Sequence, residues 1–122
     1  MLAGTTPILV HNDDKNLCKL LGITQPQLNK LVGDAYRDHI ADSYRQRGMN
    51  VITDATNPGP LTFPTPWGDR VYDIGILDSN GGVAHYIETK SGNAGKNALQ
   101  MKKDAYIEQK FGVRANYVFD GN

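Results

Sequence analysis

Residues 70–92 read RVYDIGILDSNGGVAHYIETKSG. Val71–Ser79 and Val83–Ser91 have the composition and two-residue alternation of strands, and Asn80-Gly81 between them is a strong signal for a tight hairpin turn. A two-residue loop there sets Asp73 opposite Glu88. Side chains on one face recur every second residue, so Lys90 joins them. Directly opposed Cβ atoms lie about 4.5–5.5 Å apart, so three ionisable groups meet on one sheet face. A turn at Gly81-Gly82 instead sets Asp73 opposite Lys90 and still leaves all three on that face. Tyr72, Ile74, Ile76, Val83 and Ile87 make the other face apolar, and Gly75 on the charged face leaves room for a backbone or a ligand. Two opposed carboxylates repel unless something compensates. A hard divalent cation, Mg²⁺ or Mn²⁺, is one solution and Lys90 as a plain ion-pair partner is the other. The competing reading is a solvated face on an edge hairpin.

Outward from the hairpin, Ser91–Gly95 is a turn and Lys96–Phe111 a helix closed by Gly112. Lys96, Gln100 and Lys103 form a polar stripe at i, i+4 and i+7, with Ala98, Met101, Ala105 and the Leu99–Tyr106 pair as the packing side. The first turn of that helix is a phosphate seat in principle. Val113–Phe119 is a last strand. Upstream, Asn57–Trp67 holds four of the six prolines and reads as loop. Trp67 and Phe63 within it are read as packing over the sheet, with base stacking as the functional alternative. Met49–Thr53 is a short strand. Thr24 with Gln27 makes a capping box for a helix over residues 25–47, and Asp13–Leu21 is a shorter helix before it. The order is α-β-β-β-α-β after that first helix, an α/β protein with a mixed central sheet flanked by helices.

The chain of 122 residues is one domain's worth. Thirteen basic and thirteen acidic residues cancel. A strongly basic coat is therefore excluded, and any nucleic-acid contact must come from a local cluster. The single cysteine, Cys18, rules out an internal disulfide and a multi-cysteine zinc site. No apolar run is long enough to span a membrane, and Met1–Val10 lacks the basic start of a signal peptide.

Asp73 followed by Glu88-Thr89-Lys90, inside that element order, resembles the restriction-endonuclease-like superfamily, the PD-(D/E)xK nucleases, over about residues 25–119. The resemblance implies that Asp73 and Glu88 bind Mg²⁺ or Mn²⁺ and that Lys90 orients the attacking water or stabilises charge at phosphorus. It also implies that Gln100, on the helix after the motif, contacts substrate or water. Lys96, Lys103 and Arg70 are the expected nucleic-acid contacts. Many members carry a glutamate on the first helix. Here that helix has none, and Asp38, with Asp34 beside it, is the candidate substitute. Tyr72 stands where many members have proline.

Residues 1–12, MLAGTTPILVHN, resemble the junction that precedes C-terminal toxin domains of bacterial polymorphic toxins, in Rhs, wall-associated and contact-dependent inhibition systems. The ending VHN is also similar to that of Hint-type self-cleaving domains, with His11 assisting cyclisation of Asn12. Residues 1–12 are thus expected to be a junction remnant and 13–122 the toxin domain. The resemblance implies a secreted effector tip that acts in the cytoplasm of a target cell. It also implies a cognate immunity protein as partner. DNA is the expected substrate and RNA, tRNA above all, the alternative. A non-catalytic nucleic-acid- or protein-binding module is the reading from a different class.

Overall fold

Capping decides where the longest helix begins. Thr24 accepts from the Gln27 amide, and the Gln27 side chain accepts from the Thr24 amide at 2.8 Å. Two orphan donors of the first turn are thereby satisfied. In the computed structural model, which describes residues 11–91 and 97–119 (side chains from residue 14 onward), helix α1 spans His11–Leu21 and α2 spans Gln25–Gln46. Then come β1 (Val51–Thr53), a 3₁₀ turn (Gly59–Leu61), β2 (Thr62–Phe63), β3 (Arg70–Val71), β4 (Ile74–Leu77) and β5 (Val83–Lys90). Helix α3 (Ala98–Phe111) and β6 (Asn116–Phe119) complete the described chain. No described helix is long and apolar enough to cross a membrane.

The main sheet has the order β1-β4-β5-β6. The first two pairings are antiparallel, and β5 with β6 is parallel. A parallel pair needs a long crossover, which α3 provides. A second, two-stranded sheet joins β2 to β3. The α/β class and the mixed sheet flanked by helices are as expected. Helix α2 packs on one face, where Ala41 meets Ile74, Ile76 and Ile87. On the other face, Leu61 and Tyr72 meet Ile107 of α3.

Three expectations about the hairpin and its strands are corrected. The hairpin turn is wider than two residues. The Asp78 amide bonds to the Gly82 carbonyl, and the Asp78 side chain accepts from the amides of Asn80 and Gly82. Gly81 takes the left-handed conformation at φ 87°, which favours glycine. A bulge then restores the expected register: Leu77 faces Val83, but Ile76 faces His85 and Ile74 faces Ile87, so Ala84 is the extra residue. Secondly, the strand expected over 71–79 is broken at Tyr72 and Asp73, between β3 and β4. Alternation fails at the break, and Tyr72 packs with Leu61 and Ile107 rather than with Ile74. Thirdly, the room at Gly75 is taken. A Cβ there would lie 2.8 Å from Leu61 Cδ2 and 3.2 Å from both Ile52 and Val83, so the glycine admits packed side chains and not a ligand.

Helix α3 is also turned relative to expectation. Met101 and Leu99 are exposed, whereas Ile107 is fully buried and Gln100, Lys103 and Asp104 are partly buried. The sheet beneath carries buried charges, and these draw the polar stripe inward.

Candidate active site

Glu88 lies in the middle of this polar layer. It is 5 % exposed, on the central strand β5. Its Oε2 stands 3.5 Å from Arg70 Nη1 and 3.7 Å from Lys90 Nζ. Its Oε1 is buried and finds no hydrogen-bond partner. Burial, then the nearby charge of Asp73, pushes the Glu88 carboxyl up to about 7, against the opposing pull of Arg70 and Lys90. Lys90 Nζ donates to Gln100 Oε1 at 2.7 Å. Asp73 reaches the same stretch of β5. Its Oδ2 accepts from both the amide and the hydroxyl of Thr89, each at 2.8 Å. Glu88, Lys90 and Gln100 are thus in one cluster, and Asp73 acts on it from the adjoining residue.

Arg70 is not a surface contact. It is 6 % exposed, with Nε on Asp104 Oδ1 at 2.9 Å and Nη2 on the Tyr117 hydroxyl at 3.2 Å. Tyr72 donates its hydroxyl to Asp104 Oδ1 at 2.9 Å, and Tyr117 donates to Asp104 Oδ2. Burial would raise the Asp104 carboxyl, but these three donors outweigh it and hold it below the usual carboxylate range. The same network raises the Tyr117 hydroxyl to about 12, with burial as the largest cause. Arg70 therefore supports Glu88 from behind, and a buried guanidinium cannot meet a phosphate in solvent. A cleft of about 360 Å³ between α3 and the chain near β6 includes Asp104 and Tyr117 but neither Glu88 nor Lys90.

Asp38 stays at the surface, 60 % exposed, on Arg37 Nε at 3.0 Å. Asp34 and Asp54 share Arg37 Nη1, each at 3.1 Å. Asp54, which follows β1 and donates its amide to the Asp73 carbonyl, is the acid next to Asp73. Burial, then Asp73, raises its carboxyl above the usual range. Lys103 gives its ammonium to the Asp69 carbonyl at 3.2 Å. Lys96, the turn before it and most of the expected junction (residues 1–10) lie outside the described residues, as do the His11 and Asn12 side chains.

Motif reasoning does not reach the roles of Asp104, Asp54, Tyr72 and Tyr117. Asp104 had a legible signal: it follows Gln100 by four positions, on the same side of α3. The others depend on long-range packing.

Among the described residues no group of three or more His, Cys, Asp or Glu side chains is arranged around a common metal position. Asp73 and Glu88 remain as a two-carboxylate donor set, the number that Mg²⁺ typically takes from protein. The buried, unpartnered Glu88 Oε1 is a hard oxygen donor with an unmet need for a cation or a proton, so the residues fit such an ion. Compared with protein-family models, curated protein sequences and solved structures, the chain gives no match.

Proposed function

We propose that this chain is a nuclease that uses Mg²⁺ or Mn²⁺ to hydrolyse phosphodiester bonds of DNA, with a restriction-endonuclease-like core. The observation that carries this reading is Glu88: an almost fully buried carboxylate with one orphaned oxygen, beside a lysine and under the charge of a second carboxylate. A purely structural ion pair would satisfy both oxygens. The succession of α2, β1, β4, β5, α3 and β6, with a parallel last pair, supports the core assignment.

A cation held by Asp73 and Glu88 would supply Lewis acidity toward the phosphate and an acidified water. Thr89 orients Asp73 by two bonds to one oxygen. Gln100 Oε1 accepts a hydrogen bond from Lys90, which fixes the direction of the ammonium. That ammonium is then a pre-placed positive charge for the negative charge that grows on the phosphorane oxygens. Arg70, clamped by Asp104 and Tyr117, keeps Glu88 from swinging away.

The toxin role, the delivery as the tip of a larger bacterial effector and the immunity partner rest on the resemblance of residues 1–12 to toxin junctions. Incubation of the purified chain with plasmid and total RNA in Mg²⁺, with and without EDTA, tests the activity. Cleavage should stop in EDTA. Glu88→Gln and Lys90→Ala should each lower it by about 100-fold or more while circular dichroism stays unchanged. Cleavage that survives both substitutions would assign the reaction elsewhere.

A further inference from the structure

Trp67 is the sole tryptophan, and it stays 42 % exposed although the loop that carries it is firmly held. The Trp67 and Gly68 amides bond to the Thr65 hydroxyl and carbonyl, and Lys103 Nζ bonds to the Asp69 carbonyl. The indole meets the Tyr106 ring at 84° and 5.9 Å between centroids. Lys102 Nζ lies 4.6 Å from the indole centroid, and Lys110 Nζ lies 5.8 Å from that of Tyr106. Lys102, Tyr106 and Lys110 are spaced i, i+4, i+8 along α3, so cation, ring and cation form a ladder beside the indole. Both acids of this helix are committed to other arginines: Asp104 to Arg70, and Glu108 to Arg114 at 2.8 Å. None of Lys102, Lys103 and Lys110 is in an ion pair among the described residues. A chain of zero net charge thus carries a local cationic stripe with an exposed aromatic ring set in it.

This stripe lies on the same helix that supplies Gln100 to the candidate site. Gln100, which holds Lys90, is three residues from Lys103 and six from Tyr106. At 1.5 Å and about 100° per residue, Lys103 stands about 4.5 Å along the axis and about 60° round it from Gln100, and Tyr106 about 9 Å along and about 120° round.

We propose that Trp67 with Lys102, Lys103 and Lys110 is a docking surface for a single-stranded nucleic-acid segment, the indole stacking on an unpaired base and the ammoniums meeting the flanking phosphates. An exposed ring reads a base only where the base is out of its duplex stack, and lysines are point charges that suit phosphates without sequence preference. The substrate class is then nucleic acid with an unpaired base: single-stranded DNA, or looped RNA. Its place in the reaction rests on the nuclease reading; the binding itself does not.

Because Trp67 is the only tryptophan, its emission reports directly on this surface. In EDTA, oligo(dT) and oligo(U) should quench it, a blunt duplex of equal length should need about tenfold more material, and polyglutamate should leave it unchanged. Trp67→Ala, read by anisotropy of a labelled oligonucleotide, should weaken binding roughly 5- to 150-fold. Joint replacement of Lys102 and Lys110 by Ala should reduce the salt slope by about 1.4. Unchanged emission with both single strands, equal quenching by polyglutamate or duplex, or wild-type affinity in Trp67→Ala overturns the proposal. Tryptophan-dependent binding without cleavage in Mg²⁺ would leave this surface standing and the nuclease reading fallen. Cleavage with no role for Trp67 would do the reverse.

Discussion

Glu88 carries an opposition between folding stability and the proposed cation binding that pH should expose. Its carboxyl ionises near 7 in the folded chain and near the ordinary glutamate value when unfolded. The folded state therefore binds the extra proton. The stabilisation belonging to this group is fully present below the unfolded value and is lost as pH rises through about 7. Glu88→Gln, which mimics the protonated form, should leave urea stability near wild type at pH 5. At pH 8 it should raise stability, on the order of 3 kcal/mol at most. Mg²⁺ needs the carboxylate, so its affinity should climb with pH below about 7 and level off above, as followed by calorimetric titration. Asp104 has the opposite character. It collects Arg70, Tyr72 and Tyr117, so Asp104→Ala leaves a buried guanidinium with fewer partners and should cost about 3–5 kcal/mol in chemical denaturation.

At the level of elements, the best-read parts are those with local chemical signals. The Thr24–Gln27 box marks the start of α2 because both of its bonds are made within four residues. Thr24→Ala should accordingly cost about 1 kcal/mol, measurable as a lowered melting temperature. The hairpin register near Glu88 is legible even though the turn is wider than two residues, since the Ala84 bulge absorbs the difference before the strands reach the site. The break at Tyr72–Asp73 was not legible. It arises because β3 leaves the main sheet to pair with β2, a contact between distant residues that alternation cannot report. The facing of α3 escapes the sequence for a related reason. Hydrophobic spacing favours Met101 and Ala105 as the inner side, but the polar demands of Arg70 and Lys90 turn Gln100 and Asp104 inward. Gly75 is the clearest packing test. Gly75→Ala drives a methyl into fully buried Leu61 and should cost about 1–3 kcal/mol, with the four sheet strands retained by circular dichroism.

For the whole molecule, three layers converge on one carboxylate. The sheet supplies Glu88 and Lys90, α3 supplies Gln100 and Asp104, and the excursion between β1 and β4 supplies Arg70. The motif residues are readable because they fall on one continuous stretch of chain; Tyr72 and Tyr117 as supports are not, because their contacts to Asp104 and Arg70 join residues far apart in sequence. Tyr117 is the most distant of these, 47 positions beyond the guanidinium it holds, on a strand that joins the sheet only after α3 has crossed over it. Closing so long a loop is entropically slow, so β6 is expected to be among the last pieces to settle. A chain still being synthesised, or clipped ahead of Asn116, would therefore hold its acidic and basic groups without the buttress that aligns them. On the proposed nuclease reading, activity would then wait for β6 to pair with β5, a safety catch written into the order of folding.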